Sequence, residues 1–181
     1  MRCKISGIVI AVITFSVVLV MGVVLSVLQV QGDSWGEKYV VPGSYLMDWT
    51  ATDEKEQVFE ATMWVHDHIV YTEDIVNTWA SSDQLFDEIR SSGSAYDDCD
   101  GYAILLCALI RFNIGVPANR VWVVASTMHA QVKYIDMSGS EWKLEPTWSW
   151  ILPGGTPGII IEFNDQVVVY HITPIPEVNK I

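Results

Sequence analysis

The sequence predicts an α+β domain with an antiparallel sheet, carried behind one membrane-spanning helix. Three observations support this. Residues 5–30 (ISGIVIAVITFSVVLVMGVVLSVLQV) hold no charged residue over 26 positions. Between residues 53 and 115 apolar side chains recur at helical spacing. From residue 120 onward the chain turns to strand-forming segments, RVWVVAS, HAQVKYI, EWKLEP, GIIIEF and QVVVYHI, with Gly or Asn-Asp between several of them. Helices first and strands later is the order of an α+β domain.

The apolar run comes first. As a helix it is roughly 39 Å long at about 1.5 Å per residue, more than the ~30 Å hydrocarbon core requires. The apolar region of a cleaved signal peptide usually spans only about 7–15 residues before a small-residue site, so an uncleaved signal anchor is the better reading. Arg2 and Lys4 precede the run and Asp33 and Glu37 follow it, which keeps the N-terminus in the cytoplasm. The expected organisation is a cytoplasmic N-terminus (1–4), a transmembrane signal anchor (5–30), a linker (31–52) and a folded domain (53–181). The protein is then single-pass in the cell membrane, with its domain extracytoplasmic. The chain carries 10 Lys+Arg against 22 Asp+Glu; setting Arg2 and Lys4 aside leaves a balance of −14 beyond the anchor. Such a surface repels nucleic acid, so no nucleic-acid partner is expected.

In the domain, Val58, Ala61, Thr62, Val65 and Ile69 recur at the spacing of a first helix, with Asp53 and Glu54 in its first turn, where the dipole favours acids. Ser81 and Gln84 form a capping box for a short helix ending near Ser91. Ala103 to Ile110 is apolar on nearly every side, as a helix buried mid-domain must be, and Gly115 is placed to end it. The linker, residues 32–52, shows Gly, Pro, Ser and charge without periodicity and reads as a tether leading onto the domain surface.

Chemistry concentrates at Cys99, in YDDCDGYAILL (residues 96–106). It stands where the orphan N–H groups of the following helix point, a setting that favours thiolate, whereas Asp97, Asp98 and Asp100 oppose it unless they cap the helix, bind a cation or aim elsewhere. Cys107, eight residues on, is about 12 Å along the same helix, too far to bridge, and Cys3 lies across the membrane. A nucleophilic thiol needs a histidine, and the histidine an orienting group. Of four histidines, His66 and His68 lie about 200° apart on the first helix and read as ordinary helix residues, and His171 has no marking acidic neighbour. His129 differs. Alternation puts Ala130, Val132 and Tyr134 on one face of its strand and His129, Gln131 and Lys133 on the other. The same rule puts Trp142 and Leu144 in the core and Glu145 on the open side with Lys143. A three-residue turn Met137-Ser138-Gly139 pairs Asp136 with Ser140, which makes His129 the diagonal neighbour of Glu145. The spacing alone admits a triad or a plain salt pair equally.

These three boxes in this order, Cys99 in DDCDGYAILLCALIRFNIGVPANRVWVV, His129 in HAQV and Glu145 in WKLEPTW, resemble the transglutaminase-like superfamily of papain-like thiol enzymes. The resemblance covers roughly residues 60–148. It implies a papain/transglutaminase-like core with Cys99 as nucleophile, His129 as base and Glu145 as orienting acid. Glu145 departs from the family's usual Asp by one methylene, and the Gly that precedes the family's acid-Cys-acid box is missing, with Asp98 following Asp97 instead. The activity implied is acyl transfer on a protein or peptide substrate, as a cysteine protease or amidase. Two alternatives stay open: a transamidase that crosslinks Gln and Lys side chains, and a catalytically silent protein-binding domain. The resemblance implies no required cofactor. It leaves room for calcium, because some similar bacterial proteases use it beside the acid-Cys-acid box, where Asp98 and Asp100 would be the equivalents. An EF-hand is excluded, since its register would put Tyr96 and Cys107 at ligand positions. The sequence does not fix the oligomeric state or the second oxyanion donor, for which Trp64, Trp79 and Trp148 are all candidates.

Overall fold

The computed structural model describes residues 36–73, 78–126, 129–154 and 161–170. They form the expected α+β arrangement, three helices and a six-stranded antiparallel sheet. The anchor at 5–30, the cytoplasmic residues and His171 lie outside the described residues, among which no helix is long and apolar enough to cross a membrane.

Helix α1 (Glu54–His68) is capped by the Asp53 carboxylate, which accepts from the N–H groups of Lys55 and Glu56. It buries Val58, Ala61, Thr62 and Val65, four of the five positions the 3.6-residue period marks; the fifth, Ile69, is buried but lies just past the helix in extended backbone. Helix α2 (Ser82–Ser92) follows the expected box: Gln84 Oε1 accepts from the Ser81 N–H at 3.1 Å. Helix α3 (Cys99–Ala108) is buried from Asp100 through Ala108. It widens into a π-helical turn, Leu109–Ile114, and closes at Gly115 with φ 89°, a left-handed conformation that glycine adopts without strain. Ile104, Leu105, Leu106, Leu109 and Ile110 are all fully buried, each side chain contributing about 1.5–3 kcal/mol of hydrophobic stabilisation.

Strands β1 (Ile69–Tyr71) and β2 (Ala95–Asp97) pair in parallel beside the helices. The main sheet contains β3 (Val121–Ala125), β4 (Ala130–Ile135), β5 (Glu141–Glu145), β6 (Trp150–Pro153), β7 (Ile161–Phe163) and β8 (Val168–Tyr170), in spatial order β6-β5-β4-β3-β7-β8. Helix α3 packs on β3 and β4. The β4–β5 hairpin has the predicted register: Asp136 N–H bonds to Ser140 O and Gly139 N–H to Asp136 O, both at 3.0 Å, and Val132 faces Leu144. The parallel pair and edge strand β6 were not anticipated. Each is only three or four residues long, too short to leave a readable period.

Two expectations need correction. Glu145 is not on an open side: it is 3 % exposed, because β6 pairs alongside β5 and His129 and Lys143 contact its carboxylate. The stretch read as a tether also belongs, from residue 36 on, to the folded domain. Residues 36–39 are helical, and Val40 and Tyr45 are buried. The Tyr45 hydroxyl bonds to Val41 O and Ser82 Oγ at 2.7 Å each. Asn113 Nδ2 donates to Tyr45 O and Met47 O at 2.6 and 3.1 Å. The segment's backbone is irregular and bonded in part by the side chains of Ser82, Glu60 and Asn113, so it has no period to read.

Candidate active site

The thiol's position follows from local capping. Asp97 ends β2, and its Oδ1 accepts from the Asp98 N–H at 2.8 Å. Asp98 is the N-cap of α3 and accepts from the Asp100 N–H at 3.1 Å. Cys99 is thereby fixed as the first helical residue, with free N–H groups of the helix end at its side. Gly101 permits this, since a Cβ there would overlap the Asp97 carboxyl. Cys99 is half-buried, and its Sγ accepts from the Ala130 N–H at 3.4 Å. Asp97 and Asp98 thus act as caps, the first of the roles the sequence left open.

His129 immediately precedes β4, its carbonyl held by the Ser126 N–H at 2.9 Å and the Ser126 hydroxyl at 3.2 Å. Its Nε2 lies 2.6 Å from Glu145 Oε2. A nitrogen facing a carboxylate carries the proton and donates, which leaves Nδ1 for the sulfur. The other Glu145 oxygen, Oε1, meets Lys143 Nζ at 3.2 Å. The His129 pKa is pushed up to about 9, first by its hydrogen bond with Cys99 and second by that with Glu145, against the opposing effect of burial. Trp148 stacks on the imidazole, ring centres 4.6 Å apart at 25°. All three residues expected from the sequence therefore lie together.

Tyr71, Cys99, His129, Thr147 and Trp148 line a pocket of about 380 Å³. Of the three tryptophans named above, only Trp148 lines it; Trp64 stacks on His68 and Trp79 on Phe163. Sequence reasoning missed Tyr71 and Thr147. Tyr71 ends the three-residue β1, and burial followed by the charge of Cys99 raises its phenol pKa. It also missed a role for His66, whose Nδ1 lies 3.0 Å from Pro146 O, tying α1 to the turn that carries Thr147 and Trp148. That contact joins residues 80 positions apart, a separation beyond any local signal. His68 turns back on its own helix, to Trp64 O at 2.7 Å.

The carboxylates beside Cys99 fit a cation. Ligand atoms from Asp97, Asp98 and Asp100 lie within 4.8 Å of one another. Asp97 and Asp100 are each 5 % exposed, and neither oxygen of Asp100 has a hydrogen-bond partner. Burial first, then Asp98 and Asp97, push the Asp100 pKa up to about 8. Convergent carboxylate oxygens are the donor set of a hard cation such as calcium.

No protein-family model matches the sequence, and no curated protein matches it. A crystal structure from Cytophaga hutchinsonii, of a protein provisionally designated a cysteine protease, is similar at 15% identity with a TM-score of 0.38. The match covers 67% of this chain and 39% of that one, so the chain spans well under half the length of the protein it resembles.

Proposed function

We propose that this chain is a thiol hydrolase of the transglutaminase-like kind, a cysteine protease or amidase working through Cys99, His129 and Glu145. One observation carries the reading: a half-buried thiol at a helix N-terminus shares a pocket with a histidine whose Nε2 lies 2.6 Å from a buried carboxylate. A plain salt pair needs neither the thiol nor the pocket.

In the proposed mechanism His129 Nδ1 takes the Cys99 proton, the Sγ thiolate attacks the carbonyl carbon of a peptide bond or carboxamide, and the π electrons move to the oxygen. The Cys99 N–H at the helix end is one donor to that oxyanion, and the Tyr71 hydroxyl is our candidate for the second. As the tetrahedral intermediate collapses, the carbon–nitrogen bond breaks, and the protonated His129 gives its proton to the departing amine. A thioester remains on Cys99. His129, now neutral, takes a proton from water as the water attacks the thioester; the carbon–sulfur bond then breaks, the acid is released, and the proton on His129 returns to the sulfur to restore the starting pair. Glu145 keeps the imidazole in place and stabilises its charged form. A lysine amine in place of water would give a crosslink. Hydrolysis is preferred because transamidation additionally requires that an amine outcompete water, and none of the described residues lining the pocket supplies that selectivity. Asp97, Asp98 and Asp100 would hold calcium, whose charge would offset theirs beside the thiol. The long uncharged run, with Arg2 and Lys4 before it, supports action outside the cytoplasmic membrane on a protein or peptide substrate.

The test is incubation of the full-length chain in detergent with an unfolded polypeptide, with and without a lysine donor, and mass spectrometry of the products. New carboxyl termini or deamidated side chains, lost in Cys99→Ala, are expected. Turnover that persists in Cys99→Ala would overturn the assignment, and lysine crosslinks in excess of hydrolysis would replace it with transamidation.

A further inference from the structure

A second concave surface lies on α1 and shares no lining residue with the Cys99 pocket. Phe59, Glu60, Met63 and Asp67 follow at helical spacing along one side of α1, and the segment Met47–Thr50 runs opposite, enclosing a groove of about 540 Å³. Its floor is apolar: Met47, Trp49, Phe59, Met63 and Trp64. The groove is preformed. Glu60 spans its two walls, accepting from the Thr50 hydroxyl and from the N–H groups of Thr50 and Ala51 at 2.9 and 3.2 Å. Trp49 Nε1 donates to Asn113 Oδ1, Phe59 packs edge-on to Trp142 at 5.3 Å, and Trp64 stacks on His68 at 4.2 Å.

The rim carries one sign of charge. Asp48, Glu56 and Asp67 are exposed and line the groove, and no ion pair among the described residues engages them. Among the described residues no Lys, Arg or His lines it, and Lys55 Nζ lies over the Phe59 and Trp142 rings at 6.0 and 5.1 Å. Met63 is 41 % exposed on the floor, an apolar surface that the described residues leave uncovered. A bare metal ion does not suit an open apolar floor, and an apolar ligand leaves the three carboxylates unanswered. What meets both is a cation on an apolar stem. A guanidinium suits best, because it stacks flat on aromatic faces and pairs with carboxylates through a planar fork. We propose that this groove is a docking site for an arginine-bearing segment of a partner polypeptide.

The test is fluorescence anisotropy of a labelled tetra-arginine peptide with the full-length chain in detergent at physiological salt. The triple variant Asp48→Asn/Glu56→Gln/Asp67→Asn is compared with Glu37→Gln/Asp87→Asn/Glu88→Gln, which neutralises as many exposed carboxylates elsewhere. Saturable binding is expected, weakened about tenfold by the groove triple and less than about twofold by the control. In the wild type the indole N–H resonances of Trp49 and Trp64 should shift on titration. Equal weakening by both triples would reduce the attraction to net charge and overturn the proposal, as would non-saturable binding.

Discussion

Glu145 is held from two sides, by His129 on one oxygen and Lys143 on the other, so its carboxylate is steered as well as charged. Replacing it with Gln keeps the shape and removes the charge that supports the imidazolium. Glu145→Gln should lower kcat/KM by about 10²- to 10⁴-fold. It should also lower the His129 pKa, which an NMR titration reads directly. In the folded wild type that pKa is about 9, against an ordinary 6.5. A raised base stabilises the fold in its protonated form, so this contribution is complete below about 6.5 and is lost as pH rises through 9. Activity in Glu145→Gln should therefore fail at lower pH on the alkaline side than in the wild type. An unchanged His129 titration would remove Glu145 from the triad. Asp100 makes a second prediction at this scale. Burial first, then Asp98 and Asp97, push its pKa up to about 8, so at neutral pH the folded chain must keep a proton on a group that is ionised when unfolded, a cost that an amide avoids. Asp100→Asn should raise Tm by on the order of 3 °C in chelator and abolish any rise that calcium gives the wild type. A wild-type Tm indifferent to calcium would remove the cation from the site.

Among the elements, α3 decides where the thiol stands, and Gly101 decides how closely β2 approaches it. A methyl group at 101 would overlap the Asp97 carboxyl, which also accepts from the Asp98 N–H. Gly101→Ala should cost about 1–3 kcal/mol in stability and lower activity more than Tm alone explains, because the Cys99 turn must shift. Activity per folded molecule equal to wild type would mean the cap does not position the thiol. The elements also show what the sequence could and could not disclose. Turn chemistry at Met137-Ser138-Gly139 was enough to place His129 diagonal to Glu145, because a hairpin's register is set locally. The capping box at Ser81 and Gln84 was legible for the same reason, whereas Asp53, expected within the first turn, is the N-cap just before it. Glu145's burial was not, since it depends on β6, and neither were the parallel β1–β2 pair nor the packed segment from residue 36, all made by contacts distant in sequence.

For the whole molecule, the proposed topology puts residues 33–181 outside the cytoplasmic membrane. Protease added to spheroplasts should digest the domain, and protection until the membrane is opened would reverse the orientation. The central claim is that Cys99 and His129 work as a pair, and iodoacetamide labelling followed by peptide mass spectrometry tests it without knowledge of the substrate. Cys107 is an internal reference: it is fully buried and burial raises its thiol pKa, so it should stay unlabelled while the chain is folded. Cys99 is half-buried in a pocket and should label rapidly at neutral pH, with His129→Ala slowing it by about tenfold or more. Equal Cys99 labelling rates in wild type and His129→Ala would contradict the pair, and with it the thiol hydrolase.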